Sequence, residues 1–370
     1  MHLKTLSLVN FKNYEQVDIP LSERINCFVG ENGVGKTNLL DAVHYLSLCK
    51  SNLNPIDTQN VRYDQDFLVI QGLFERKGKE ENIYCGIKKQ KKKQFKRNQK
   101  EYSKLSEHIG LIPLVMISPA DSVLINGGSE ERRKFMNGVI SQYSRVYLEN
   151  LIQYNRALSQ RNRLLKDFAQ ARTFDPEMLE VWDAQLVRHG EPIYEERVRF
   201  VNELLPVFNE FHSHVSGGRE VVKLSYQADL ENTGFSEGLK ASLEKDRIIQ
   251  YTTFGIHKDD LGMKLGGYSL KKSGSQGQQK TFLVALKLAE FEFIRKLTEI
   301  PPILLLDDIF DKFDAGRVKQ IISLVAEKQF GQIFITDTNE QRLQGILNEI
   351  PADHKVFRIT ADARLDEIKK

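Results

Sequence analysis

Apolar positions alternate near the start of the chain, recur at helical spacing through its middle, and run unbroken in short blocks near its end. Leu3, Leu6, Leu8 and Phe11 predict a strand running into the polar turn Lys12-Asn13-Tyr14. Residues 17–21 and 24–29 read as further strands, and 67–70 and 82–87 as two more around the turn Lys77-Gly78-Lys79. Residues 111–117 form another apolar strand. The pattern then turns helical. Ser129 reads as an N-cap ahead of Glu130 and Glu131, and Phe135, Val139, Tyr143, Tyr147 and Leu151 follow at intervals of four, continuing towards Phe168. Asp175-Pro176 restarts a helix whose apolar face is Leu179, Trp182, Leu186, Ile193, Phe200, Leu204 and Phe208; Gly190 and Pro192 predict a break or kink midway. Too few heptads are sustained for a long coiled coil.

Ser216-Gly217-Gly218 marks a boundary. Beyond it come a strand at 221–226, a short helix at 235–243 and a hairpin at 263–270 broken by Gly266-Gly267. The last third alternates helix and strand: a helix after Ser275-Gln276-Gly277-Gln278, the strand Ile303-Leu304-Leu305-Leu306, a helix from Ala315, a strand at 332–336, a helix from Glu340 and a strand at 356–360. The expected organisation is an α/β head in two parts, 1–128 and 216–370, with a helical insertion at 129–215.

At 370 residues, two domains or one domain with an insertion fit the length. Charges nearly balance, 53 basic against 50 acidic, so net charge alone demands no polyanionic partner. Cys27, Cys49 and Cys85 lack metal or CxxC spacing and read as inert thiols of a reducing cytoplasm. The first residues lack a signal-peptide core and no apolar run nears membrane-spanning length, so a cytoplasmic protein with no membrane partner is expected.

Chemistry concentrates in Gly30-Glu31-Asn32-Gly33-Val34-Gly35-Lys36-Thr37, between the strand ending at Val29 and the amphipathic run from Asn38. This strand, glycine loop and helix make a P-loop, whose backbone N–H groups and helix N-terminus cradle phosphates. Lys36 is placed to reach the β- and γ-phosphates, and the Thr37 hydroxyl to ligate Mg2+. Some 270 residues on, four aliphatic residues end in Asp307 and Asp308, a Walker B pattern. Asp307 is expected to hold Mg2+ opposite Thr37, and Asp308 to orient or deprotonate the attacking water.

Ser275-Gln276-Gly277-Gln278, just upstream, resembles the signature motif of ABC-type ATPases, and Asp311-Lys312-Phe313-Asp314 resembles their D-loop. Within that superfamily the chain resembles the RecF family of bacterial recombination mediators over nearly its whole length. The carrying stretches are Leu8-Val9-Asn10-Phe11-Lys12-Asn13-Tyr14, the P-loop extended to Ala42, Gly255-Ile256-His257-Lys258-Asp259-Asp260-Leu261, Ser275 to Thr281, and Leu305-Leu306-Asp307-Asp308. The resemblance implies an ABC-type P-loop ATPase head, with a mixed sheet lobe and a parallel core, carrying an inserted α-helical domain. It implies an ATP-dependent homodimer in which Ser275, Gly277 and Gln278 of one copy close over ATP held by the other. Lys36, Asp308 and Ser275 are then the catalytic set. Such a dimer clamps double-stranded or gapped DNA, releases it on slow hydrolysis, and works with RecR to load RecA in repair, fork maintenance and the SOS response.

The chain departs from the family pattern in a few places. Lys12 replaces an arginine, Ile256 a proline and Ala120 an acid, which leaves Asp121 as the segment's only acid; Thr336-Asp337-Thr338 contains no histidine. His257 reads either as a turn cap or as a group near the nucleotide, and Arg132 and Arg133 either as phosphate contacts or as partners of Glu130 and Glu131. The tract from Lys88 to Lys100 carries eight basic residues and no acid. Its Lys88, Lys89, Lys91, Lys92, Lys93, Lys96 and Arg97 form a DNA-contact surface on one reading, and a solvated hairpin edge on the other. A helicase lacks support in further motifs. A transporter subunit leaves 255–261 unexplained, and the insertion is too short for the coils of a structural SMC-like ATPase.

Overall fold

The structure, a computed structural model, describes residues 1–218, 220–309, 315–325, 330–349 and 352–368, so the stretch resembling a D-loop, 311–314, lies outside the described residues. The chain divides into two compact units, Met1–Asp121 with Leu283–Lys370, and Ser122–Phe282.

The first unit contains two six-stranded sheets. One is antiparallel, built from β1 (His2–Phe11), β2 (Tyr14–Pro20), β4 (Phe67–Arg76), β5 (Lys79–Lys88), β6 (Gln94–Arg97) and β7 (Lys100–Glu101) in the order β2-β1-β4-β5-β6-β7. The β4–β5 hairpin turns on Lys77 and Gly78, both at positive φ (51° and 72°), which suits the twist of the flanking strands. The other sheet holds β3 (Ile25–Val29), β8 (Leu114–Ile117), β12 (Ile303–Leu306), β13 (Ile333–Asp337), β14 (His354–Ile359) and β15 (Leu365–Glu367) in the order β15-β14-β3-β13-β12-β8. It is parallel except for β15. Every residue of β3, β12 and β13 is buried, which is why β12 reads as an unbroken apolar run and the other two as mostly apolar ones. α1 (Lys36–Leu48) shares a core with both sheets. Leu39, Tyr45 and Leu46 meet Leu6, Leu68 and Ile70 from one, and Phe28, Leu305 and Phe334 from the other. α9 (Ala315–Val325) and α10 (Glu340–Asn348) complete the alternation. Cys27, Cys49 and Cys85 are free and buried; burial pushes all three thiols up, Cys49 to about 12.

The second unit holds α2 (Val123–Asn126), α3 (Ser129–Tyr143), α4 (Arg145–Ala171), α5 (Pro176–Ser216), α6 (Phe235–Ile249), α7 (Leu270–Ser273) and the first turns of α8 (Gln276–Thr298). β9 (Val222–Gln227), β10 (Asp260–Leu265) and β11 (Tyr268–Ser269) form a small antiparallel sheet in the order β11-β10-β9. The predicted break at Gly190 and Pro192 is absent, and α5 is one helix of 41 residues. Gly190 serves close packing instead: a Cβ there would lie 2.3 Å from the Phe235 ring. The buried row Leu186, Ile193, Phe200, Leu204 and Phe208 holds the helix through both prolines. The helix pattern from Ser129 is interrupted at Ser144, whose side chain caps α4 by accepting from the Tyr147 N–H at 3.2 Å. Ser129 is itself helical, with Gly128 as the N-cap residue. Asp175 does cap α5, accepting from Glu177 and Met178 N–H at 3.0 and 3.2 Å.

The unit boundaries fall away from 128/129 and 215/216 because the Gly217-Gly218 turn is local, whereas two buried arginines tie the later segment to the helices. Arg161 binds Asp183 at 2.5 Å, Asp246 at 2.6 Å and the Thr252 hydroxyl at 3.0 Å. Arg197 binds Asp259 at 2.9 Å, the Ile256 carbonyl at 2.7 Å, Asn137 at 2.9 Å and the Tyr147 hydroxyl at 3.0 Å. Among the described residues no helix is long and apolar enough to cross a membrane.

Candidate nucleotide-phosphate site

The buried strand β3 delivers the chain into the glycine loop at the carboxyl end of a parallel sheet, where α/β folds place ligands. Gly33 and Gly35 sit at φ 85° and 110°. At Gly35 a Cβ would lie 2.3 Å from the Asn13 amide, so only glycine lets that brace close. Asn13 donates to the Val34 carbonyl at 2.8 Å and accepts from the Asn38 amide at 2.7 Å; the Tyr14 hydroxyl donates to the Gly35 carbonyl at 3.1 Å. The β1–β2 turn therefore holds the loop open in a fixed shape.

Lys36 is 3% exposed, and its ammonium donates to the carbonyls of Gly30 and Glu31, both at 2.9 Å. The Thr37 hydroxyl donates to Asp307 Oδ1 at 2.9 Å, joining P-loop and Walker B across 270 residues. Asp307 also accepts from the Thr336 hydroxyl at 2.8 Å, and its own N–H donates to the Ile117 carbonyl at 2.9 Å. Burial raises its carboxyl above the usual range, opposed by the two hydroxyls and by Lys36. Asp308 adopts φ 44°, and its N–H donates to Thr336 Oγ1 at 2.9 Å. Asn13 and Thr336 are the positioning residues that sequence reading missed. Their only signals were an asparagine in the turn after β1 and a threonine ending the strand beside Walker B.

The family departures have local partners. Lys12 meets Asp41 at 2.5 Å, and Asp41 also accepts from Ser51 Oγ and the Asn52 N–H, both at 2.6 Å. Lys12 thus braces α1, and burial lowers its pKa against the pull of Asp41. Asp121 closes its own turn by accepting from the Ser118 N–H at 2.7 Å.

In the second unit, Ser275 and Gln278 form a reciprocal cap. The Ser275 N–H donates to Gln278 Oε1 at 2.8 Å, and the Gln278 N–H to Ser275 Oγ at 3.2 Å. The Gln278 amide also donates to Glu220 at 2.8 Å. Ser275, Gln276 and Gly277 are exposed, and among the described residues a Cβ on Gly277 would meet nothing within 4 Å beyond its own helix.

His257 is half-buried in this unit. Its Nε2 lies 3.0 Å from the Thr252 carbonyl and its Nδ1 2.8 Å from the Tyr154 hydroxyl. The carbonyl assigns the ring proton to Nε2, and burial lowers the pKa to about 4, so the ring is neutral. Arg132 grips Asp260 through two bonds of 2.6 and 2.9 Å, and Arg133 donates to the Asp259 carbonyl at 2.7 Å. Glu130 and Glu131 pair instead with Lys134, at 2.9 and 3.0 Å.

The basic tract splits in two. Lys93 is drawn to Asp57 at 2.8 Å, Arg97 to Glu81 at 2.7 Å, and Lys96 lies 5.5 Å from the Tyr84 ring centroid. Lys88, Lys89, Lys91 and Lys92 are exposed.

Residues 2–360 match the family model described as RecF/RecN/SMC N terminal domain. "DNA replication and repair protein RecF" of Bacteroides thetaiotaomicron is 55% identical over 360 residues, 97% of each chain. The protein of the same name from Flavobacterium johnsoniae is 47% identical over 359 residues, covering 97% of this chain and all of that one. Among solved structures, the recombination mediator protein RecF with ATP matches at TM-score 0.90 and 29% identity, over 100% of this chain and 98% of that one. The Smc head domain of Pyrococcus furiosus shares the fold at TM-score 0.58 and 18% identity, over 99% of this chain and 96% of that one. With the P-loop and Walker B strand joined at Thr37 and Asp307 in an ABC-type ATPase head, and with relatives matching end to end, the chain belongs to the RecF family.

Proposed function

We propose that this chain is an ATP-dependent DNA-binding protein of recombinational repair and replication, in which ATP joins two copies into a clamp on double-stranded or gapped DNA. The observation that carries the reading is the convergence of Lys36, Thr37 and Asp307, which matches what a triphosphate with Mg2+ requires. Lys36 exchanges the Gly30 and Glu31 carbonyls for phosphate oxygens, and a relative solved with ATP supports ATP as the ligand. Thr37 and Asp307 would hold Mg2+, which supplies charge neutralisation between the phosphates; one or two protein ligands is its usual share in such sites. Asp308, held in a left-handed conformation that costs energy, is the candidate to orient water for slow, DNA-stimulated hydrolysis.

Ser275 and Gly277 present a helix N-terminus where, among the described residues, nothing beyond the helix itself lies against the glycine, which supports closure by a second copy. Ser275→Arg is expected to leave ATP affinity intact and to abolish ATP-induced dimers; dimers persisting in light scattering refute the trans arrangement. A recombination mediator RecF of the RecFOR pathway among the matches supports RecR as a partner; RecA loading is the outcome we propose.

For DNA contact, Lys88, Lys89, Lys91 and Lys92 are the available charges, because Lys93 and Arg97 are held by acids. Changing Lys88, Lys91 and Lys92 to glutamine should reduce the slope of log affinity against log salt by about 2–3. An unchanged slope returns the tract to a solvated hairpin edge.

A further inference from the structure

Gln278 caps Ser275 with a side chain that is itself held from outside the helix. Its Oε1 accepts from the Ser275 N–H at 2.8 Å, while its Nε2 donates to Glu220 Oε1 at 2.8 Å, across 58 residues. A carboxamide can present either end to a neighbour, so the acceptor at Glu220 decides which end meets Ser275. Glu220 is enclosed in turn. Its side chain is 24% exposed, and its other oxygen lies 3.7 Å from Nε2 of His212, a buried residue of α5. That nitrogen has no hydrogen-bond partner among the described residues. Four residues along α8, on the same face as Gln278, the Phe282 ring packs on Phe208 and His212, with centroids 4.7 and 6.2 Å apart. Polar and apolar contacts together fasten the start of α8 to the C-terminal end of α5.

The cap also decides what Ser275 offers to solvent. Its Oγ accepts from the Gln278 N–H at 3.2 Å, so the hydroxyl hydrogen is left to donate elsewhere. Beside it stand the N–H groups of Gln276 and Gly277, which open the helix and have no acceptor within it. We propose that Glu220 is a positioning residue of the ATP site that two copies complete: by fixing the Gln278 carboxamide, it keeps Ser275 turned out as a donor to the phosphate held by the other copy. This role rests on the closure by a second copy proposed above and deepens it. Without an acceptor at position 220, rotation about the last, soft torsion of Gln278 brings Nε2 round to the Ser275 N–H. Two donors then face each other and the cap opens. Position 220 must therefore supply an acceptor, and its carboxylate strengthens the bond by adding charge.

The test uses the full chain, with ATP-induced dimers followed by sedimentation velocity, ATP affinity by calorimetry, and melting curves to check folding. Glu220→Ala is expected to weaken dimerisation about tenfold, the scale of one lost hydrogen bond to a charged group, with ATP affinity unchanged within about twofold. Glu220→Gln keeps an acceptor and should stay within about threefold of wild type. Gln278→Ala should cost about as much as Glu220→Ala, and the double variant no more than either alone, because both act through one amide. Wild-type dimerisation in Glu220→Ala, equal losses in the alanine and glutamine variants at position 220, or losses that add in the double variant each overturn the inference while leaving closure by a second copy in place. Wild type that stays monomeric with ATP overturns that closure, and this role with it.

Discussion

Lys36→Ala is expected to lower ATP affinity by a factor on the order of a hundred, and to remove ATP-induced dimers and ATP-stimulated DNA binding with it. The ammonium is nearly sealed from solvent and fixed by two loop carbonyls at 2.9 Å, so it waits where phosphate oxygens arrive. Charge-assisted hydrogen bonds contribute roughly 1.5–3 kcal/mol each, so losing one or two from the bound state reaches that factor. Calorimetric titration with ATP measures the affinity, and a melting curve separates a binding defect from a folding one. Lys36→Arg keeps the charge but not the compact head, and should recover only part of the affinity. Normal nucleotide affinity in the alanine variant removes the P-loop from the mechanism.

Arg197→Ala should be the most destabilising single change in the second unit. The guanidinium is 1% exposed and serves Asp259, Asn137, the Tyr147 hydroxyl and the Ile256 carbonyl together. Removing it strands Asp259, 3% exposed, with a buried charge that the Tyr226 hydroxyl alone cannot neutralise. Breaking a buried ion pair from one side costs about 3–5 kcal/mol. For a unit of this size that lowers the melting temperature by roughly 10 °C. Arg197→Met with Asp259→Asn, which removes both charges, should recover part of the loss. A shift of only a degree or two in the single variant would mean that water replaces the arginine and that the site is not dry. Arg197, with Arg133 on the Asp259 carbonyl and Asn162 accepting from the Thr252 N–H, ties the loop from Thr252 to Asp260 to the helices.

The parts legible in the sequence are those where local pattern and global packing agree. β12 reads as a buried strand because burial on both faces demands continuous apolar residues, and Lys77-Gly78 reads as a turn because a tight hairpin demands positive φ. Gly30 to Thr37 and Asp307 were visible from residue types alone, and the 2.9 Å bond between Thr37 and Asp307 joins the two stretches. Where a residue's role depends on a distant partner, the pattern misleads. Gly190 resembles a helix breaker until Phe235 lies against it. Lys93 and Arg97 count as free cations until Asp57 and Glu81 meet them. Arg133 reads in sequence either as a phosphate contact or as a partner of Glu130 and Glu131, but it reaches the backbone of Asp259, 126 residues away. Asn13 and Thr336 carry no charge, and the family stretches around them do not state what either side chain does. Their importance comes from two strand ends converging on one loop, which no local window contains.

The three cysteines have a practical consequence for testing the proposed clamp. Each thiol is enclosed and held protonated by burial, so maleimides and similar labels find no thiolate on the folded chain. A single cysteine placed on the surface, at Lys272 near the signature helix for instance, therefore becomes the sole attachment point without removing any native residue. Donor and acceptor dyes can then be put on separate batches of the same variant and mixed, so that energy transfer follows two copies meeting and parting in real time.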